Sequence, residues 1–409
     1  MCLCYLKFTT FRKSKVIQPL LNAILIFSVF TFVQALPVHS RPLKKIKVDS
    51  SNNHHLDDAF FYLPLPISQK KKETQILREY VLDRVKPRTS TDIDAFADIL
   101  DWVHSRWEHD GSMSPSGMSS LDMLQSAEQG RSFSCIEYAR VYTDILHSLG
   151  YICRIIGVTN ADIAYGGMGV SHTLCEAWSD ELNKWVMIDP QFGYMLQRKG
   201  EYINYHELIQ SLTNKQISDI EIIMMDGMKK VVKINDKSEQ IYIDFINRYM
   251  AYMMFDMKVN ATEVMYVLPF GKQEQFMTSQ GGNSKPLIFL HQVNEAYFNV
   301  NRTHMLFEFN TPSGDVSSIV ATDSVSTQEA FKRAMLEQQA IPDFTVHLTN
   351  NAPWFSHYEI NINGEQTWNK VTGHSFQVKL RDGKNAISVR SVNQAGRTGV
   401  ITSMHFRYQ

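Results

Sequence analysis

The sequence predicts an α+β chain, and three observations carry that reading. Apolar residues recur at helical spacing between Glu73 and Gly150. From Tyr151 to Asp189 they give way to strand-like runs, with "HTLCEAW" and "KWVMID" flanking the polar turn "SDELN". From Ile341 to Gln409, short β-rich runs alternate with Asn-Gly, Asp-Gly and Ala-Gly turns, which predicts a small immunoglobulin-like β-sandwich. The chain has 409 residues, too many for one ordinary domain. With a formal net charge of −1 it has no overall field that would draw nucleic acid or an anionic membrane.

In chain order, four basic residues (Lys7, Arg12, Lys13 and Lys15) precede the apolar run Leu20–Val33, and "VQA" ends at Ala35. This is the pattern of a signal peptide spanning 1–35, and it predicts an exported protein; an uncleaved anchor is the alternative. Cleavage after Ala35 removes four basic and no acidic residues, moving the net charge from −1 to −5. Residues 36–72 are polar and read as a flexible tether. A first helix begins near Glu73, with Ile76, Tyr80, Val81 and Val85 on one stripe. A second starts at Thr91-Asp92, carries Ile93, Phe96, Ile99, Leu100 and Val103, and runs on to Gly111. "LDMLQSAEQG" is a short third helix.

The fourth helix raises the chemical question. Ser134 and Glu137 form a capping box, so Cys135 is the first helical residue; Ile136, Tyr142, Ile145, Leu146 and Leu149 supply the apolar side and Gly150 closes it. A thiol at a helix N-terminus is acidified by the free backbone N–H groups and by the macrodipole, and more so beside a protonated histidine. The next two strands fold about "SDELN", which brings His172 and Asp189 together across an antiparallel hairpin. Cysteine attacks, histidine holds the proton and aspartate fixes the imidazole: these are the roles of a nucleophilic triad.

"GRSFSCIEYARVYTDILHSLGYICRIIGV" followed by "SHTLCEAWSDELNKWVMIDPQFGYM" resembles the transglutaminase-like superfamily of cysteine enzymes, with its papain-like fold. The shared pattern is a Cys opening a helix that ends in Leu-Gly, then a His with Glu four residues on, then a Trp shortly before Asp-Pro. In this chain these are Cys135, Leu149-Gly150, His172, Glu176, Trp185 and Asp189-Pro190. The resemblance covers about residues 75–205. It implies that Cys135 is the nucleophile, His172 the general base and Asp189 the orienting acid. It also implies a second oxyanion donor from an upstream indole, Trp107 or Trp102. Leu174 departs from the pattern, standing where the family often has an aromatic residue.

The resulting division is a catalytic domain over 73–210, a mixed α/β middle region over 211–340 and the sandwich over 341–409. The expected reaction is acyl chemistry through a thioester, with hydrolysis of a peptide or other amide as the first choice. Its substrate would be a peptide, protein or glycopeptide, and no cofactor is required. Two alternatives stay open: a catalytically silent scaffold whose sandwich binds glycan or peptide, and crosslinking or amidase action on glycopeptide or peptidoglycan. Glu176 reads as a structural partner, and His109 in "WEHDG" as packing at a helix end. Cys153 and Cys175 read as core residues, with a disulfide between them as the alternative. A zinc site from His172 and the cysteines is the competing chemistry, but the sequence lacks the ligand pairs of structural zinc sites. In "YINYHELIQSL" and "SEQIYIDFINRYMAYMMFDM" the middle region reads as helical, and its methionines as core filler.

Overall fold

The computed structural model describes residues 44–53, 71–112, 115, 117–165, 169–226, 228–233, 237–259, 262–273, 285–309 and 341–409. The signal-peptide segment and most of the tether lie outside the described residues, as do the strand-like run "SSIVAT" at 317–322, the helix-like run "STQEAFKRAMLEQQA" at 326–340 and the glycosylation sequon "NAT" at Asn260. Among the described residues no helix is long and apolar enough to cross a membrane.

Among the described residues, four helices precede the first strand of the main sheet: α1 (Lys71–Arg84), α2 (Asp92–His104), α3 (Ser120–Ala127) and α4 (Cys135–Ser148). Thr91 caps α2 by accepting from the Asp94 N–H at 3.0 Å, and Ser119 and Asp122 form a capping box on α3. The buried stripe of α1 is Leu77 and Val81, an i, i+4 pair, while Ile76 is 42% exposed. The helix is therefore rotated by one position from the expected stripe. On α4, Ile136 likewise faces out, 54% exposed, and Tyr138, Tyr142, Ile145 and Leu146 face the core.

The expected run of α2 to Gly111 is not observed. The helix ends at His104, and the Ser105 hydroxyl and Arg106 Nε both bond the Trp102 carbonyl at 2.9 Å. These side chains satisfy an end carbonyl that a continuing helix would have used. Residues 105–110 leave the helix as a consequence, and this decides where Trp107 and His109 go.

Among the described residues, ten strands form the main sheet: β2 (Cys153–Thr159), β3 (Ser171–Ser179), β4 (Lys184–Asp189), β5 (Tyr194–Arg198), β6 (Glu201–Tyr202), β7 (Ile220–Asp226), β8 (Met228–Lys233), β9 (Tyr252–Val259), β10 (Thr262–Pro269) and β11 (Leu287–Phe289), with β1 (Ile46–Ser51) belonging to a second sheet. The order is β11-β10-β9-β2-β3-β4-β5-β7-β8, with β6 beside β5. Only the β10–β11 pair is parallel. Helices α1 to α4 pack on one face, over Cys175, Ala177, Val186 and Ile188. The other face, with Leu174, Trp178, Trp185 and Met187, is covered by α5 (Tyr205–Thr213) and α6 (Lys237–Ile246).

The middle region thus continues the sheet that carries the expected catalytic residues. The helical reading of 238–257 fails past Tyr249, because Tyr252–Val259 is strand β9. Met253, Phe255 and Met257 are buried at period two, and Ile156 of β2 pairs with Phe255. The pairing partners decide the period of that methionine-rich run, which fits either helix or strand locally.

Two further antiparallel sheets enclose a common core. The first is β1 (Ile46–Ser51), β18 (Thr402–Tyr408), β17 (Gly383–Asn393), β14 (Phe355–Ile362) and β15 (Asn369–Val371), in that order; the second is β12 (His304–Phe309), β13 (Asp343–Thr349) and β16 (Ser375–Lys379). Phe344, Val346 and Val378 of the second sheet pack with Tyr358, Ile387, Val389 and Phe406 of the first. Two of these strands come from before residue 341. β1 lies within the expected tether, which is a correction: Ile46 pairs with Tyr408 and Lys47 with Arg407. It is an edge strand with nearly every side chain exposed, so no apolar alternation marks it in the sequence.

This pair of sheets is fastened to the C-terminal end of α4. Gly150 has φ +87°, and a Cβ there would lie 2.7 Å from Asn393 Nδ2, which itself donates to the Gly150 carbonyl at 3.0 Å. Arg397 pairs with the buried Asp92 at 2.6 Å and lies 3.9 Å from the Tyr151 ring centroid. Asn301 Nδ2 donates to both oxygens of Asp180.

Inside the main sheet, Arg154 of β2 and Glu176 of β3 form a buried pair. Arg154 donates to Glu176 Oε2 at 2.6 and 3.0 Å and to the Ala296 carbonyl at 2.7 Å. Glu176 Oε1 accepts from the Tyr205 N–H and the Tyr297 hydroxyl, each at 2.9 Å. Every charge is met, which fits the structural reading of Glu176. We predict that Glu176→Ala, which strands the Arg154 guanidinium, lowers unfolding free energy by about 3–5 kcal/mol. Urea denaturation of the variant measures this, and a loss below about 1 kcal/mol would show that the pair is not a determinant of stability.

Candidate active site

The Ser134–Glu137 capping box forms as the sequence predicts. The Glu137 carboxylate accepts from the Ser134 N–H at 3.1 Å, and Ser134 Oγ accepts from the Ile136 N–H at 3.3 Å. This sets Cys135 as the first residue of α4, with its thiol only partly exposed.

The hairpin register differs slightly from the expected one. Cys175 pairs with Ile188 and Ala177 with Val186, so Asp189 lies opposite Leu174 and not opposite His172. Side chains two apart on a strand share a face, however, and a diagonal neighbour is within reach of a long or ring side chain. His172 Nε2 bonds Asp189 Oδ2 at 2.8 Å, with His172 2% and Asp189 0% exposed. The same Oδ2 accepts from the Tyr242 hydroxyl at 3.1 Å, and Oδ1 accepts from the Phe192 N–H at 3.4 Å.

With Nε2 engaged by Asp189, the imidazole has Nδ1 left for the sulfur, and Cys135 and His172 each shift the other's proton affinity. Burial pushes the Cys135 thiol up. The His172 hydrogen bond and charge, with hydrogen bonds from the Thr173 N–H and side chain, outweigh it and bring the thiol below its ordinary value. Burial lowers His172, but the Asp189 charge and hydrogen bond, and then Cys135, raise it to about 9. The acidified thiol and the basic imidazole together favour a thiolate–imidazolium pair.

Aromatic rings enclose the imidazole. Phe245 lies 5.1 Å from it, Phe192 6.0 Å and Tyr249 6.1 Å, centroid to centroid. Tyr242, Phe245 and Tyr249 come from α6 and the 3-10 turn after it, at i, i+3 and i+7, so they form one helical face. The sequence marks the helix but not this wall, because no local signal says that Tyr242, Phe245 and Tyr249 pack over His172.

Of the two indoles, Trp107 is the one packed on residues that flank Cys135 in the sequence, Phe133 and Tyr138. The loop 105–110 is pinned to Phe133 through the His109↔Phe133 bridge and the Asp110 N–H to the Phe133 carbonyl at 2.9 Å. The Tyr138 hydroxyl bonds the Trp107 carbonyl, and the Trp107 ring packs on Phe133 at 5.3 Å and Tyr138 at 4.4 Å. Its Nε1–H is buried with no hydrogen-bond acceptor among the described residues. Trp102 instead packs in the helical layer, with the Arg106 guanidinium 4.9 Å from its ring centroid. His109 lies in the loop and not at a helix end, its imidazole lowered by burial and then by the charge of His172.

Cys153 and Cys175 are buried free thiols, so the disulfide alternative does not hold. Both sulfurs lie 3.4 Å from Thr143 Oγ1 beneath α4, and Cys175 donates to the Ala139 carbonyl at 3.3 Å. Among the described residues no group of His, Cys, Asp and Glu side chains is arranged to hold a metal ion, so the zinc reading has no support.

None of the curated proteins compared with this sequence matches it. Among solved structures, the chain is similar to a putative cysteine protease from Cytophaga hutchinsonii, at 13% identity and a TM-score of 0.24. That match covers 47% of this chain and 64% of the other, so this chain spans less than two thirds of that protein's length. It is also similar to the red sea bream transglutaminase, at 10% identity and a TM-score of 0.23, covering 80% of this chain and 72% of the other. Residues 80–190, which hold Cys135, His172 and Asp189, match the model of the transglutaminase-like superfamily, so this chain carries a transglutaminase-like domain.

Proposed function

We propose that the protein is an exported cysteine enzyme that cleaves peptide or other amide bonds through a thioester. The observation that carries this reading is the meeting of an acidified Cys135 thiol with a His172 imidazole held by buried Asp189. The Cys135 thiolate attacks the amide carbonyl carbon, forming a C–S bond and a tetrahedral oxyanion. The imidazolium then gives its proton to the amide nitrogen, the C–N bond breaks and the amine leaves. The neutral imidazole next takes a proton from water, whose oxygen attacks the thioester, and the acid departs as the thiolate–imidazolium pair is restored. Asp189 holds the ring and stabilises its charged form throughout.

The Cys135 N–H at the start of α4 supplies one donor to the oxyanion, and we assign the second to Trp107, whose indole N–H has no acceptor among the described residues. All reacting groups are side chains or backbone of this chain. Export rests on the N-terminal pattern. We read the C-terminal pair of sheets as an immunoglobulin-like module.

Activity is expected to rise with pH as the depressed thiol ionises and to fall again near pH 9 as His172 loses the proton that the leaving amine needs. A pH–rate profile on a peptide library, read by mass spectrometry, tests both limbs. Cys135→Ala is expected to abolish cleavage. Trp107→Phe is expected to cost about 10²–10³-fold in kcat, the cost of losing one oxyanion donor. Rapid labelling of Cys135 by a mild electrophile at pH 6, lost in His172→Ala, separates an enzyme from a silent scaffold; slow labelling of every cysteine would refute the enzymatic reading.

A further inference from the structure

We propose that Tyr242 is a positioning residue for the His172–Asp189 pair, its hydroxyl fixing the carboxylate and limiting the pull the carboxylate exerts on the imidazole. This rests on the enzymatic reading above and deepens it. Tyr242 lies on α6, outside the residues that match the superfamily model.

The geometry is specific. Asp189 Oδ2 accepts two hydrogen bonds, from His172 Nε2 at 2.8 Å and from Tyr242 at 3.1 Å. With the Phe192 N–H on Oδ1, the carboxylate is tethered from three sides and has no freedom to rotate about Cβ–Cγ. The Tyr242 ring is itself held, 5.0 Å from Phe192 and 4.9 Å from Tyr194, and is 1% exposed. Burial, and then the Asp189 charge, push its phenol well above its ordinary value, so it remains a donor at every pH at which the protein works.

The electrostatic consequence has a definite sign. A hydrogen bond donated to a carboxylate stabilises its charge and makes it a weaker partner for the neighbouring imidazolium. Without the Tyr242 hydroxyl, Asp189 directs more of its charge at His172, and the imidazolium is held more tightly. The other titratable groups facing the pair are Cys135 from α4, His109 from the loop before Phe133, Cys175 from β3 and Tyr249 after α6. None of these donates to the Asp189 oxygens, so Tyr242 is the group whose removal acts on the carboxylate directly.

The test is the rate of iodoacetamide alkylation of Cys135 in the full chain, followed by mass spectrometry from about pH 5 to pH 10, a range that brackets the upper inflection of the pair. In the parent protein the upper inflection is expected near 9, where His172 deprotonates. Tyr242→Phe, which removes only the hydroxyl, is expected to move it upward by roughly half a unit. Tyr242→Leu is a second removal of the hydroxyl and is expected to move it the same way. In an Asp189→Asn background Tyr242→Phe is expected to shift nothing further.

An unmoved or lowered upper inflection in the folded variants, accompanied only by a drop in melting temperature, would reduce Tyr242 to packing and overturn the proposal. It would leave the enzymatic reading intact. A parent profile with no upper inflection, and Cys135 labelled no faster than Cys153 or Cys175, would instead refute the enzymatic reading and the role of Tyr242 with it.

Discussion

Burial of the His172–Asp189 pair is the constraint around which the molecule is organised. Both side chains are removed from water, and an ionised carboxylate without partners in such a place costs several kcal/mol. The carboxylate persists because three donors reach it: the imidazole, the Tyr242 hydroxyl and the Phe192 N–H. Each depends on a different part of the chain being in register. The hairpin β3–β4 must pair as it does, because a slip of one residue would turn His172 to the face that α4 covers. The turn after Asp189 must return the Phe192 amide toward the carboxylate, and α6 must lie across the sheet with its aromatic face inward.

The second buried charge on β3 obeys the same logic. Glu176 is four residues beyond His172, on the same face of the strand, and is as fully enclosed. Its partners are Arg154 from β2, the Tyr205 N–H at the start of α5, and Tyr297. Tyr205, Tyr242 and Tyr297 all come from beyond residue 190. The segment that matches the superfamily model therefore buries two carboxylates whose hydrogen bonds are completed by the middle region. That explains why the middle region extends the same sheet and does not fold apart from it: separation would leave both Asp189 and Glu176 short of donors in a low-dielectric interior.

This division also sets how much of the molecule could be read from the sequence. The opening of α4 was legible because a capping box is a local signal, and Ser134 and Glu137 lie three residues apart. The His172–Asp189 encounter was legible because a short polar turn fixes a hairpin to within a residue or two, and the diagonal contact tolerates that error. The end of α2 was not legible. The apolar period runs through Trp102 and Val103 toward Trp107, and the stop depends on Ser105 and Arg106 competing for the Trp102 carbonyl. The strand at 252–259 was hidden because alternating Met and Phe residues also satisfy a helical period, and only pairing with β2 and β10 decides between them. The pairing of β1 with β18 spans nearly the whole chain and leaves its outer side chains in water, so no local pattern could mark it.

The early stop of α2 and the proposed chemistry are connected through one hydrogen-bond donor. Had the helix continued, Trp107 would extend the apolar stripe; leaving it lets the loop pin to Phe133 and lays the indole across Phe133 and Tyr138, on either side of Cys135. The indole N–H is then buried with no acceptor among the described residues, and an unsatisfied buried donor costs about 1–3 kcal/mol. On the proposed reading the unsatisfied donor is recovered at the moment of reaction, when an oxyanion forms beside Cys135. A donor already in place gives most to the transition state and least to the ground state, which is the differential on which acceleration depends.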